Sequence, residues 1–246
     1  NLKIADAQQK QENQIKAVRG FIAQGVDAIL LAPVVATGWD EVLEEAQEAE
    51  IPVVLLDRQV DSPDTMYLTA VGSDLVHEGR VAGEWLAEDV GDQPCNVVEL
   101  QGTTGSSPAI KRKQGFEEGI AGHDNIRIVR SQTGDFTRAK GKEVMESFLK
   151  AEDGGKNICA LYAHNDDMAV GAIQAIKEAG LKPGTDIKVV SIDAVPDITN
   201  NQVQVNVLAP SLSPDQIERQ VSFTIETSLK GIPGLAYTRS LNRNGF

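Results

Sequence analysis

Positive charge, histidine, cysteine and aromatic residues are all scarce in this sequence. Its 246 residues include 23 Lys or Arg against 36 Asp or Glu, which leaves a formal net charge of −13 at pH 7. That balance argues against a nucleic-acid-binding protein, which needs a basic stripe to neutralise phosphates. No apolar run approaches the roughly 18 residues of a membrane-spanning helix, so no membrane insertion is predicted. An apolar content of 41% is typical of a globular protein, and the length allows two lobes.

Signatures of catalysis and of cofactor or metal binding are also missing. No Gly-x-Ser-x-Gly elbow is present, and the three histidines are dispersed. The turn Gly102–Ser107 lacks the Gly-Lys-Ser/Thr ending of a P-loop, so a tight turn with Ser106 as helix N-cap is favoured over nucleotide binding. His164 has no second histidine at ligand spacing, and Asp166-Asp167 suit the first turn of a helix better than a metal. We therefore predict neither an enzyme nor a cofactor or metal site.

The two cysteines, Cys95 and Cys159, each lie at the start of a predicted strand. If those strands are parallel neighbours, the sulfurs lie at the same end of the sheet and can form a disulfide. The alternative is a pair of buried free thiols. A disulfide would favour an oxidising compartment.

Strand and helix patterns alternate along the chain, which predicts βαβ units and parallel sheets. The segment Gly72-Ser73-Asp74 is predicted to separate two lobes, and Thr37 is predicted to cap the second helix. The predicted strands are 2–5, 26–32, 51–56, 66–71, 96–101, 125–131, 158–164 and 187–193, and the predicted helices are 9–24, 37–50, 75–90, 106–121, 138–151 and 166–179.

A weak internal repeat supports two lobes of the same build. The unit Ala28–Pro33, helix, Val53–Asp57 is matched by Ala160–Asn165, helix, Val189–Asp193. Both units end a buried strand in a carboxylate. Because ligands of open α/β sheets bind outside the carboxyl ends of the strands, two such lobes predict a cleft lined by polar residues.

Four residues at or after predicted strand ends have side chains suited to a polyhydroxylated ligand. Asp57 can accept hydrogen bonds from hydroxyl groups, and Arg58 can donate a planar fork, although an ion pair at the strand end is the alternative. Phe136, in a polar loop, can offer its face to a sugar ring, or it can fold back into the core. Asn165 can both donate and accept.

Six motifs together resemble one family, the periplasmic sugar-binding proteins of bacterial ABC transporters. The resemblance lies in the ribose/galactose group of the type I periplasmic-binding-protein fold and is strongest to its galactofuranose-binding branch. The motifs are Asp6–Gln14, Leu56–Arg58, Glu99–Gly102, Gly134–Arg138, Ala163–Asp167 and Ser191–Asp193.

The resemblance implies a binding protein that closes its two Rossmann-like (flavodoxin-like) α/β lobes on a monosaccharide and docks on a membrane permease. It implies a periplasmic location, and we expect a monomer. The sugar-binding residues that it implies are Asp57 and Arg58 from the first lobe, Arg112, Asn165 and Asp193 from the second, Phe136 as the stacking ring, and Arg138 and Asp135 as weaker candidates. The ligand-sensing domain of a LacI-type regulator, which shares the fold, is the alternative.

The sequence departs from the family at both ends. The family has a strand and a helix upstream of Leu2, and this chain starts at Asn1 without an initiator Met, so we expect an N-terminally truncated first lobe. Residues 199–246 resemble instead the first periplasmic segment of heavy-metal RND efflux transporters, which predicts a chimera, with a divergent natural tail as the alternative. The predicted organisation is a first lobe at 1–73, a second at 74–198 and an atypical βαβ tail at 199–246, with strands 203–208 and 236–240 and a helix at 213–229.

Overall fold

The computed structural model describes residues 2–192, in which helices and parallel strands alternate. The predicted tail elements and Asp193 lie outside this range. The helices are α1 (Gln11–Ala23), α2 (Asp40–Glu48), α3 (Leu75–Val90), α4 (Ser107–Gly119), α5 (Arg138–Ala151) and α6 (Asp166–Glu178). The strands are β1 (Ile29–Leu31), β2 (Val53–Leu56), β3 (Thr69–Val71), β4 (Cys95–Gln101), β5 (Ile126–Thr133), β6 (Ala160–Ala163) and β7 (Lys188–Ser191).

The strands form two sheets, one in each predicted lobe. The first has the order β1-β2-β3 and the second the order β5-β4-β6-β7, and every pairing within them is parallel. Residues 97–100 of β4 and all four residues of β6 are buried, so both faces of the second sheet are covered there, as the apolar sequence of β6 indicates. The predicted α/β class with parallel sheets is confirmed. Among residues 2–192, the helices are all too short or too polar to cross a bilayer.

Helices α3 and α4 pack with their backbones in contact. A Cβ atom added to Gly79 would lie 2.1 Å from the carbonyl oxygen of Arg112, and one added to Gly115 would lie 2.0 Å from that of Val76. Only glycine permits this approach. It brings Arg112 of α4 beside Glu78 of α3, a pairing that matters for the site described below.

A disulfide joins the amino ends of β4 and β6. The sulfurs of Cys95 and Cys159 lie 2.00 Å apart, and Cys95 is almost fully buried. The disulfide therefore lies at the end of the second sheet that is opposite to the carboxyl ends of its strands.

Two local predictions are wrong. Residues 2–5 form no strand: Leu2 and Ile4 are 83% and 84% exposed, and Gln8 and Gln9 turn the chain with φ of 53° and 57°. A strand needs a hydrogen-bonded neighbour, and the described residues provide none for this segment. Thr37 does not cap α2, because Gly38 at φ 80° turns the chain and the helix begins only after Trp39.

Candidate functional site

Asp57 and Arg58 follow β2 directly, at the carboxyl end of the first sheet. Asp57 adopts a left-handed φ of 63°, and its N–H donates to the carbonyl of Val71 at 2.7 Å. This turn leaves the carboxylate 65% exposed while the Arg58 side chain is only 17% exposed. Their closest approach, Nε to Oδ2, is 3.8 Å. The ion pair is therefore loose, and the carboxylate is open to solvent.

Arg58 is held by the backbone and directed at the second lobe. Its Nη1 donates to the carbonyl of Val34 at 3.0 Å. Its guanidinium carbon lies 5.5 Å from the centroid of the Phe136 ring, within the range of a cation–π interaction. Burial lowers the pKa of Arg58, an effect that the nearby Asp57 carboxylate opposes. The guanidinium is thus partly desolvated, which strengthens any hydrogen bond that it donates to a ligand.

Phe136 lies in the β5–α5 turn, where it both packs on the core and faces Arg58. Asp135 and Phe136 have left-handed φ values of 51° and 58°, which fold the loop back over the strand ends. The ring lies against Gly102, where an added Cβ would be 1.9 Å from Cζ. It also packs at the margin of the core cluster formed by α5 and α6. The interpretation that Phe136 folds back onto the core is therefore partly met, and its stacking on a sugar stays a prediction.

Arg112 is buried beneath the strand ends of the second sheet, only 4% exposed. Its Nε donates to Glu78 at 2.8 Å and its Nη1 to the carbonyl of His164 at 2.7 Å. Nη2 makes no hydrogen bond within residues 2–192. A doubly anchored guanidinium with one nitrogen left is suited to donating to a ligand hydroxyl.

Asn165 links two elements of the second lobe. It caps α6 by accepting from the Met168 N–H at 3.1 Å, and its Nδ2 donates to the carbonyl of Phe136 at 3.2 Å. Each group of its amide thus has one local partner, and each retains capacity for one further hydrogen bond.

The remaining predicted residues lie at the margin or outside the described range. Arg138 pairs with Asp167 at 2.8 Å, and both side chains are more than half exposed. Asp135 accepts from the Thr133 hydroxyl at 3.0 Å within its own loop. Asp193 is not among the described residues. The structure therefore brings Asp57, Arg58, Arg112, Phe136 and Asn165 to one region, with Arg138 and Asp135 at its rim.

Contacts between the lobes that the sequence did not indicate surround this region. The N–H of Gln59 donates to the Ser107 hydroxyl at 2.7 Å, and Lys111 donates to the Gln59 side-chain oxygen. The N–H of Ala36 donates to the carbonyl of Gly105 at 2.8 Å. Gln59 directly follows Arg58, but a glutamine in a loop has no pattern that distinguishes it from a solvated residue.

A cavity of about 410 Å³ opens beside Asp57 and Arg58. Its walls come from residues 5–9, α1 and β1, and they include Asp6, Gln14 and Phe21. The volume lies within the range of small-molecule sites, roughly 300 to 1,000 Å³. Its lining is largely apolar and does not include Arg112, Phe136 or Asn165, so among the described residues of the proposed site it borders only Asp57 and Arg58.

Comparison with known protein families identifies the family of this chain. The family described as "Periplasmic binding protein domain" matches residues 1–201. The chain belongs to this family. The predicted family resemblance and type I fold are thereby confirmed.

Individual relatives are consistent with that assignment. The galactofuranose-binding protein YtfQ of Escherichia coli is 69% identical over 198 residues, which are 80% of this chain and 62% of YtfQ. The ribose import binding protein RbsB of Salmonella typhimurium is 33% identical over 94% of this chain and 75% of its own length. This chain therefore spans about three-fifths of YtfQ and three-quarters of RbsB.

Solved structures show the same relationship. The crystal structure of a galactofuranose binding protein superposes with a TM-score of 0.78 at 68% identity, covering 80% of this chain and 67% of that one. The periplasmic binding protein of the arabinose ABC transporter from Shewanella sp. ANA-3, bound to L-arabinofuranose, has a TM-score of 0.75 at 49% identity over 99% of this chain and 80% of its own.

The tail has a match of its own. The AcrB/AcrD/AcrF family matches residues 183–246 and overlaps the first family over residues 183–201. This agrees with the predicted resemblance of the tail to an RND transporter segment. None of these matches supports the LacI-type alternative.

Proposed function

We propose that this chain is a solute-binding protein that captures a monosaccharide in its furanose form and delivers it to the membrane permease of an ABC importer. The observation that carries the proposal is the approach of Arg58, from the first lobe, to the face of Phe136, from the second. A guanidinium and an aromatic ring that meet at the junction of two lobes offer a sugar both hydrogen-bond donors and an apolar surface. The galactofuranose- and arabinofuranose-binding relatives support this ligand class.

Each predicted site residue has a proposed role in sugar binding. Asp57 accepts hydrogen bonds from sugar hydroxyls through its exposed carboxylate, and Arg58 donates hydrogen bonds from its planar guanidinium. Arg112 and Asn165 donate from the second lobe, Phe136 stacks on the apolar face of the sugar, and Asp193 accepts. Asp135 and Arg138 serve at the rim. An analogue that lacks one hydroxyl leaves a desolvated partner unpaired, and this is the basis of selectivity.

Closure of residues 74–198 on residues 1–73 is the proposed mechanism, and sugar stabilises the closed state. The Gln59–Ser107 and Ala36–Gly105 hydrogen bonds join the lobes and belong to that state. A ligand shifts this equilibrium only through contacts that it makes better in the closed form, which here are contacts to residues of both lobes. The chain breaks no bond in the sugar and acts as a monomer.

The compartment that we propose is the periplasm. The Cys95–Cys159 disulfide suits an oxidising environment, and the relatives are periplasmic binding proteins. The partner of the closed form is the importer's membrane permease.

Calorimetric titration of the chain with a sugar panel tests the proposal. We expect methyl β-D-galactofuranoside and L-arabinose to bind, and methyl α-D-glucopyranoside, which is locked as a pyranose, to bind at least 10-fold more weakly. Selection for the furanose is expected because the galactofuranose-binding and arabinofuranose-bound relatives take furanoses. Absence of heat with every sugar, or a preference for the pyranoside, would refute the proposal.

Gly102→Ala is predicted to weaken furanose binding about 10-fold. The added methyl group would overlap the Phe136 ring, since its carbon would lie 1.9 Å from Cζ, so the ring must leave its place. Overpacking of this kind costs roughly 1–3 kcal/mol. Titration with methyl β-D-galactofuranoside measures the loss.

Gly122→Ala is the matched control for Gly102→Ala. Gly122 has open space around its missing side chain, although its φ of 86° adds some strain to the substitution. We therefore expect that variant to lose stability and to keep its affinity. Equal affinities for the two variants would contradict the assigned position of the ring.

A further inference from the structure

A buried pair of ionisable residues lies directly beneath the proposed site. Glu99, in the middle of β4, and His164, just after β6, are both 0% exposed, and their Oε1 and Nε2 atoms are 3.2 Å apart. The other carboxylate oxygen of Glu99 accepts from Lys113 at 3.1 Å, from Gln101 at 3.0 Å and from the Ser131 hydroxyl. Four donors on one carboxylate indicate that Glu99 is ionised.

The hydrogen bonds of His164 define its tautomer. Its Nδ1 accepts from the N–H of Gly102 at 3.3 Å and therefore carries no proton. The single proton of the neutral ring is then on Nε2, where it is donated to Glu99. The imidazole thus connects an ionised carboxylate to the backbone of a site loop.

The groups that face His164 come from several elements. They are Glu99 on β4, Arg112 and Lys113 on α4, and Tyr162 on β6, with Glu78 of α3 behind Arg112. Burial lowers the pKa of His164 below its ordinary 6.5; Glu99 opposes this, while Arg112 and Lys113 add to it. Burial would raise the pKa of Glu99, but hydrogen bonds from His164 and Ser131 outweigh it and lower that pKa to about 2.

Three connections lead from His164 to the proposed sugar-binding residues. Its Nδ1 holds Gly102, against which the Phe136 ring is packed. Its carbonyl accepts from Arg112 at 2.7 Å. Its own peptide bond leads to Asn165. Phe136, Arg112 and Asn165, the residues of the second lobe proposed to touch sugar, are therefore all linked to His164.

We propose that His164 and Glu99 are positioning residues of the sugar site, in which a neutral imidazole, oriented by Glu99, holds the Gly102 turn, Phe136 and Arg112 in their binding arrangement. The inference deepens the proposed function and rests on it. A positioning role differs from a packing role in one measurable way, because protonation of His164 Nδ1 removes the acceptor for the Gly102 N–H. Affinity should therefore be constant from pH 8 down to about the pKa of His164 and should fall below it.

The first test needs no sugar. Nitrogen-detected NMR of the full chain resolves its three histidines, of which His77 and His123 are exposed and serve as internal references. We expect His164 to be the Nε2–H tautomer and to stay neutral below pH 6.5, because burial lowers its pKa from that ordinary value. Protonation of His164 at or above pH 6.5, or a proton on Nδ1 of the neutral ring, would overturn the inference.

The second test is affinity for methyl β-D-galactofuranoside as a function of pH. We expect His164→Leu, which removes the acceptor, to bind at least 10-fold more weakly than the wild type at pH 7.5. We expect His164→Asn, whose side-chain oxygen can replace Nδ1, to recover affinity to within about 3-fold and to lose the acid dependence. Glu99→Gln, which keeps an acceptor but removes the charge, should reduce affinity, while the Gly102 N–H keeps His164 in the Nε2–H tautomer.

Glu152→Gln is the control for stability effects. It removes the 2.7 Å pair with Arg130, and Glu152 follows the end of α5, remote from the strand ends that form the site. We expect lower stability there with unchanged affinity and pH profile. Equal binding by wild type and His164→Leu, or a wild-type affinity that does not fall over the pH range in which NMR shows His164 becoming protonated, would overturn the positioning role. Failure of the proposed function is distinct, because the wild-type chain would then bind no sugar at all.

Discussion

Replacing Arg58 by methionine is expected to weaken furanose binding about 100-fold. The guanidinium is only 17% exposed, is anchored on the carbonyl of Val34 and lies over the Phe136 ring. A hydrogen bond from a charged group in such a partly desolvated place contributes roughly 1.5–3 kcal/mol, and the fork can make two. Methionine retains much of the aliphatic volume, so the loss should appear in affinity rather than in folding.

Arg58→Lys separates charge from geometry at this position. Lysine keeps the positive charge but lacks the planar fork, so we expect an intermediate loss of about 10-fold. Arg127→Met is the control, because Arg127 is exposed on β5 and, within residues 2–192, its side chain donates only to the carbonyl of Asp124 at 3.4 Å. Calorimetric titration of Arg58→Met, Arg58→Lys and Arg127→Met with methyl β-D-galactofuranoside measures these losses of affinity. Equal affinity of Arg58→Met and Arg127→Met would exclude Arg58 from the site.

Helices were the most predictable part of this fold. The predicted bounds of α3 and α5 are those that the structure shows, Leu75–Val90 and Arg138–Ala151. In both cases the residue before the helix, Asp74 or Thr137, accepts a hydrogen bond from a backbone N–H in the first turn. Periodicity and a cap are local properties, so sequence alone is sufficient to find them.

Strands depend on partners that are distant in sequence, and this limits their prediction. The segment 2–5 alternates like a strand, yet both of its large apolar side chains are exposed. The predicted strand at 26–32 is reduced to the three residues of β1. Whether such a segment pairs is determined by what lies beside it, which local sequence does not contain.

In the candidate site, too, local sequence predicted some features, and others required the tertiary structure. Arg58 and Phe136 were predicted because each follows a strand, and parallel strands place their carboxyl ends at one edge. The approach of Arg58 to Phe136, 78 positions along the chain, required the tertiary structure. Glu99 is different, because a carboxylate within the buried run Val97–Leu100 must have a partner. Neither Glu99 nor its partner His164, 65 positions further along the chain, was predicted as a site residue.

Loss of the Cys95–Cys159 disulfide is expected to have the largest effect on stability. The two cysteines are 64 positions apart, and cross-linking a loop of that length disfavours the unfolded chain by about 4 kcal/mol on the loop-closure estimate. For a chain of this size, about 4 kcal/mol corresponds to a fall of roughly 8–16 °C in Tm. Calorimetric melting of Cys95→Ala/Cys159→Ala measures it.

Reduction provides the matched control for the disulfide variant. Dithiothreitol should lower the Tm of the wild type towards that of the double variant and leave the double variant unchanged. Sugar affinity well below Tm should be unaffected in both, because Cys95 and the Gly102 turn lie at opposite ends of β4, whose seven residues span roughly 20 Å. Equal melting of oxidised wild type and double variant would show that the disulfide does not stabilise the lobe. A loss of affinity on reduction would show that strain at the amino edge of the sheet reaches the site through β4, since that strand joins Cys95 directly to Glu99 and Gly102.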